Sequence, residues 1–189
     1  MILHTPRLVL KPHVPANAEL LNAWQNDPEL IYYDDDVPED REPRPIARTH
    51  EFIEKNASPK LDDEIIHWAI HIAESDQFIG YCMAAYIDTF NQKCRFGMTM
   101  GAKEEWGKGY GREALEAVVR FIFGELKLNR IQCEIYDFNE RSIRLFESVG
   151  FVREGVCREA VWKRGRFANE YVYGLLRRDF DGRQKSPLF

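Results

Sequence analysis

A chain of 189 residues, 44% hydrophobic and 30% charged, is one domain's worth of sequence. It can bury its own core without disulfides or a structural metal. Twenty-six basic against 31 acidic residues give a net charge of −5, which disfavours a dedicated nucleic-acid binder and fits a cytoplasmic protein. No apolar run reaches the ~18 residues of a membrane span, and Met1–Arg7 lacks the order of a secretory leader.

In chain order, the alternation of Leu8 and Leu10 predicts a first strand over Arg7–Lys11. Ala18, Leu21 and Trp24 stand near helical spacing within Ala16–Asn26, limited by Pro28. An acidic, aromatic loop follows (Tyr32, Tyr33, Asp34, Asp35, Asp36, Glu39, Asp40), marked by Pro38, Pro43 and Pro45. Ile46–Asn56 reads as a second helix. Glu64–Glu74 and Gln77–Asp88 read as a hairpin about Ser75-Asp76, and Lys93–Met100 as the next strand. Gly111–Leu126 carries Leu115, Val118, Val119, Ile122 and Leu126 on one helical stripe. Asn129–Tyr136 alternates as a strand, and Asn139–Val149 is a short helix closed by Gly150. Phe151–Trp162 and Tyr171–Arg177 are the last two strands, about a turn at Lys163–Arg166. These elements compose one α+β domain over residues 1–180, with a mixed central sheet of about seven strands and helices on both faces. A polar tail, Asp181–Phe189, follows.

Metal chemistry is not expected. Cys82, Cys94, Cys133 and Cys157 are far apart and read as buried apolar residues. His67 and His71 alternate with Ile66, Trp68, Ile70 and Ile72, so they read as the solvated face of a strand rather than as zinc ligands on a helix.

The chemically informative segment is Trp106-Gly107-Lys108-Gly109-Tyr110-Gly111-Arg112, between a strand and a helix. Alternating glycines let backbone N–H groups converge on one anion, and the helix N-terminus and the charges of Lys108 and Arg112 add to the attraction. A phosphate or pyrophosphate is the expected guest. The spacing fails both the nucleotide P-loop and the dinucleotide fingerprint. A pyrophosphate grip that is neither suggests coenzyme A.

This segment resembles the acyl-CoA loop of the GCN5-related N-acetyltransferases, with Trp106 where that family usually has Gln or Arg. Asn139–Phe151, Glu154-Gly155-Val156-Cys157-Arg158 and Thr5-Pro6-Arg7-Leu8-Val9-Leu10 resemble, in order, three further motifs of its ribosomal-protein and spermidine acetyltransferase branch. The likeness runs over roughly residues 5 to 180.

The resemblance implies a sheet splayed between its fourth and fifth strands, with acetyl-CoA in the gap. Backbone groups of Met98, Thr99 and Met100 would pair with the pantetheine arm. Those of Gly107 to Arg112 would hold the pyrophosphate, and Asn139 would reach the pantetheine or simply cap its helix. The acetyl group would pass directly to an amine in a ternary complex. Phe146 stands where many members have a tyrosine acid, and it cannot donate a proton. Ser142, on the same helix face as Asn139 and Phe146, would hydrogen-bond the thiolate or serve as a helix-cap or surface serine. Glu134, Glu159 and Asp88 are candidate bases. Tyr32, Tyr33 and Asp34–Asp36 would meet a cationic acceptor, either a small-molecule amine or a protein N-terminus. Neither nucleic acid nor membrane is an expected partner, and a homodimer stays open. The alternative is a catalytically silent acyl-CoA-binding module, for which Phe146 is the argument.

Overall fold

The computed structural model describes residues 1–33, 38, 41–61 and 63–184. Its alternating segments line up into one sheet of eight strands. These are β1 (Leu3–His4), β2 (Leu8–Lys11), β3 (Ile66–Ile72), β4 (Phe78–Asp88), β5 (Lys93–Thr99), β6 (Arg130–Tyr136), β7 (Val152–Lys163) and β8 (Arg166–Leu176). The spatial order is β1-β2-β3-β4-β5-β6-β8-β7. Every neighbouring pair is antiparallel except β5 with β6. The expected seven strands are present, and the eighth is the two-residue β1, too short to leave a period.

Helices α1 (Ala18–Gln25), α2 (Pro28–Tyr32) and α3 (Ile46–Lys55) precede β3. Helix α4 (Tyr110–Gly124) joins β5 to β6, α5 (Glu140–Val149) joins β6 to β7, and α6 (Arg177–Gln184) ends the described chain. The Ile66, Trp68, Ile70 face of β3 meets α4, where the Trp68 and Phe121 rings lie edge to face at 5.5 Å. The other face meets α3, with Phe52 edge-on to His67 at 4.9 Å. Trp68, Leu115, Ile122 and Ile131 are completely buried, each side chain worth about 1.5–3 kcal/mol of removal from water.

Three expectations are corrected here, and the last helix is placed. His71 is buried and His67 half-buried, not solvated, because α1 and α3 cover that strand face; His13 is buried beside them. Cys157 is exposed on β7, whereas Cys82, Cys94 and Cys133 are buried as expected. A one-turn helix, α2, ends at Tyr32 inside the segment read as loop; Asp27 caps it by accepting from the Glu29 and Leu30 N–H groups, with Pro28 at its first turn. Residues 181–184 continue α6, which turns Phe180 into the core.

What positions the site is the parallel pair. β5 and β6 are in register at Lys93↔Arg130, Cys94↔Ile131 and Arg95↔Gln132 only. Beyond Arg95, β5 stays paired with β4 as far as Thr99↔Tyr81, and β6 with β8 as far as Tyr136↔Glu170. Each strand is held by its outer neighbour while the two part, so backbone groups of Phe96–Thr99 and Cys133–Tyr136 face a gap instead of each other.

Candidate active site

A cavity of about 410 Å³ opens in that gap. Met98, Thr99, Cys133, Ile135, Asn139, Ser142 and Phe146 line it, so the face formed by positions 139, 142 and 146 does meet the parted strands. Asn139 caps α5, its Oδ1 accepting from the Ser142 N–H at 3.1 Å. Phe146 is buried against Phe96 and Phe151. On the opposite face of the sheet the lining is aromatic and polar: Tyr33, Tyr81, Tyr86, Tyr136, Arg95 and Glu134.

The glycine loop stands at the C-terminal end of β5. Gly107 (φ +79°) and Gly109 (φ +85°) both adopt the left-handed conformation, which side-chain-bearing residues resist, and Gly109 is the N-cap of α4. Lys108 pairs with Glu105 at 2.8 Å and Arg112 with Glu116 at 2.9 Å, both side chains remaining more than half exposed. Trp106 donates its indole N–H to the Met100 carbonyl at 2.7 Å, which takes one of the backbone acceptors expected to meet the pantetheine. Sequence reading missed Arg141. From the first turn of α5 its guanidinium lies 4.0 Å over the Trp106 ring, a cation–π contact that brings a positive charge to the loop from across the gap.

The candidate bases separate. Glu134 lines the cavity, but both its oxygens are engaged: Oε2 accepts from Arg95 Nε (2.9 Å) and Nη2 (2.5 Å), and Oε1 from Gln132 at 2.7 Å. Glu159 is exposed at a bulge of β7 with φ +52°, its N–H bonded to Asn169, and does not line the cavity. Asp88 caps the β4–β5 turn by accepting from the Asn91 N–H and side chain. Among the acceptor-side residues, Tyr33 lines the cavity and Tyr32 stacks on Phe138 at 4.6 Å. Asp34, Asp35 and Asp36 lie outside the described residues. Among the described residues no cluster of His, Cys, Asp or Glu could hold a metal ion, and no helix is long and apolar enough to cross a membrane.

The parallel strand pair that parts beside a glycine-capped helix lies within a stretch of sequence that a family model matches. The acetyltransferase (GNAT) domain matches residues 7–152. The chain belongs to the GNAT family. It is 29% identical over 180 residues to the uncharacterized N-acetyltransferase p20 of Bacillus licheniformis, covering 95% of this chain and 98% of that one. Its fold is similar to that of the spermidine N-acetyltransferase from Vibrio cholerae, solved in complex with CoA and spermine. There the TM-score is 0.79 at 20% identity, over 93% of this chain and 99% of that one. The microcin C7 self-immunity acetyltransferase MccE, solved with acetyl-CoA and AMP, gives a TM-score of 0.76 at 19% identity, over 91% and 93% of the two chains. As a GNAT enzyme, the protein transfers an acetyl group from acetyl-CoA to an amine. The residues fit that cofactor: the unpaired edges of the parted strands suit an amide-bearing arm, and the left-handed glycines suit a pyrophosphate.

Proposed function

We propose that the acetyl-CoA thioester sits between Met98–Thr99 and the first turn of α5, and that the acceptor amine reaches it from the tyrosine-lined face. The limited register of β5 with β6 carries this reading, because it leaves donors and acceptors on both walls of one cavity. The bound cofactor supplies an activated acyl carbon. The chain supplies placement. The Gly107–Arg112 backbone and Arg141 hold the pyrophosphate, and a strand N–H near Met100 stabilises the oxyanion. The amine nitrogen bonds to the acyl carbon, the carbon–sulfur bond breaks, and nitrogen gives up a proton while sulfur leaves as thiolate. Ser142, on the cavity wall, donates a hydrogen bond to that sulfur. A thiol of pKa about 8.5 leaves without the acid that Phe146 cannot provide.

Glu134, held by Arg95 and Gln132, orients groups rather than collecting the proton, so water takes it. The acceptor is a primary amine whose stem packs among Tyr33, Tyr81, Tyr86 and Tyr136 and whose charge is met by the aromatic faces. Asp34–Asp36 belong to the same acceptor side, the protein acts in the cytoplasm, and residues 1–180 form the catalytic domain.

A thiol-release assay against polyamines, aminosugars, amino acids and peptides with free N-termini tests this. With water as base, log kcat/KM for an alkylamine climbs by one unit per pH unit from pH 6 to pH 9, following the neutral fraction of a group with pKa about 10.4. A plateau near neutrality would require a base on the enzyme. Binding of CoA with no turnover across the panel would favour the silent module.

A further inference from the structure

A loop whose key residues have no side chains needs something else to hold its shape before the cofactor arrives. Lys108 does not do so, since its ammonium is drawn back to Glu105. Arg141 reaches the Trp106 ring, but the contact to the backbone between the two left-handed glycines comes from the turn between β1 and β2. Arg7 Nη1 donates to the Lys108 carbonyl at 2.9 Å, and Arg7 Nε donates to Glu113 Oε2, in the first turn of α4, at 2.7 Å. The guanidinium also lies 4.7 Å over the Tyr110 ring. A Cβ added to Gly109 would come within 3.3 Å of Arg7 Nη2. Glu113 is fixed in turn: its Oε1 accepts from the Thr5 hydroxyl at 2.6 Å and from the Arg7 N–H at 2.8 Å. The Thr5 hydroxyl itself accepts from the Leu8 N–H at 2.8 Å, which locks the turn that presents both residues to one carboxylate.

The consequence follows from peptide planarity. In a trans peptide the carbonyl and the next N–H point in opposite directions. Fixing the Lys108 carbonyl on Arg7 therefore aims the Gly109 N–H away from Arg7. We propose that Arg7 is a positioning residue for the cofactor, holding the Lys108–Gly109 peptide so that the Gly109 N–H faces the pyrophosphate. The inference rests on the assignment of the loop to that pyrophosphate. Arg7's charge is matched by Glu113, so its contribution is the fork geometry of its donors, not attraction at a distance.

The test compares two donors in steady-state kinetics: acetyl-CoA, and acetyl-pantetheine, which lacks the pyrophosphate. Arg7→Ala lowers kcat/KM for acetyl-CoA by roughly ten- to hundredfold, through KM, and leaves kcat, the acceptor KM and every constant for acetyl-pantetheine at wild-type values. Arg7→Lys, which keeps the charge and loses the fork, behaves like Arg7→Ala. Titration with CoA shows the same weakening without turnover. Equal losses with both donors would mark Arg7 as a general structural residue and overturn the proposal, as would wild-type behaviour of Arg7→Lys. Two controls separate its failure from that of the loop assignment. A wild-type enzyme indifferent to the pyrophosphate would sink both. Loss of the acetyl-CoA preference in Gly109→Val but not in Arg7→Ala would sink the positioning role alone.

Discussion

Three histidines lie under α1 and α3, and one of them, His13, adjoins Tyr81 of the proposed acceptor face. His13 has neither ring nitrogen hydrogen-bonded among the described residues, and His67 Nδ1 is likewise unpaired. The His13 ring lies 6.3 Å from that of Tyr81, which lines the cavity. Burial is the main reason that His13 and His67 are each pushed down to about 4; repulsion from His67 and His71 adds to the first, and Lys55 to the second. Burial also lowers His71, with Lys11 adding and Asp76 opposing. In the unfolded chain an imidazole titrates near 6.5. Between pH 6.5 and 4 the unfolded state therefore binds more protons than the folded one, and stability rises with pH in that window. Above about pH 6.5 the histidines contribute no slope.

A shift from 6.5 to about 4 is worth about 3 kcal/mol per histidine, against a total stability of about 5–15 kcal/mol for a domain. Near pH 5 the two together give a slope of about 2.5 kcal/mol per pH unit, and His13→Leu should roughly halve it. At pH 7 the variant should match or exceed wild type, because two unpaired buried nitrogens are gone. Urea unfolding followed by tryptophan fluorescence at pH 7, 6, 5 and 4.5 measures both. Subtracting the curves removes the background from the carboxylates. Parallel loss of stability in wild type and His13→Leu would refute the argument.

Other substitutions probe other parts of the site. Gly109→Val forces a β-branched residue to φ +85° and against Arg7, so the CoA Kd should rise at least tenfold while the fold survives, as titration of CoA would show. Gly107 has the same handedness but open space around a Cβ, so Gly107→Ala should weaken CoA less. Ser142→Ala should lower kcat several-fold and leave the acetyl-CoA KM nearly unchanged, since the cap at that turn uses the Ser142 N–H and not its hydroxyl. Gly101→Ala should cost about 1–3 kcal/mol by overpacking, seen as a lower Tm, because its Cβ would overlap the Trp24 ring.

The readable parts of the fold were those with a local cause. Gly150, at φ +114°, ends α5 where a left-handed residue was needed, and the alternation of Ile131, Cys133 and Ile135 marked the buried face of β6. The misread parts depended on what came to lie on top of them. His67 and His71 alternate with apolar residues, as polar residues on a wet strand do. That α1 and α3 cover that face is decided by packing far away in the chain. β8 begins at Arg166, five residues earlier than read, because Arg166 to Glu170 carry no period and are held as strand by pairing with β7.

The same division runs through the site. The cofactor side is made mainly of backbone, and backbone geometry leaves a mark in sequence, since only glycine is comfortable at φ +79° and +85°. The proposed acceptor side is made of side chains from β4, β5 and β6 and of Tyr33 just after α2, and no local pattern ties them together. Arg95 and Glu134 are 39 residues apart and meet because β5 and β6 run parallel up to that point. Glu134 was therefore visible as a carboxylate near the gap but not as one whose oxygens are already taken. On the reading proposed above, the pairing leaves the tyrosine-lined wall, rather than Glu134, as the surface that meets the incoming amine.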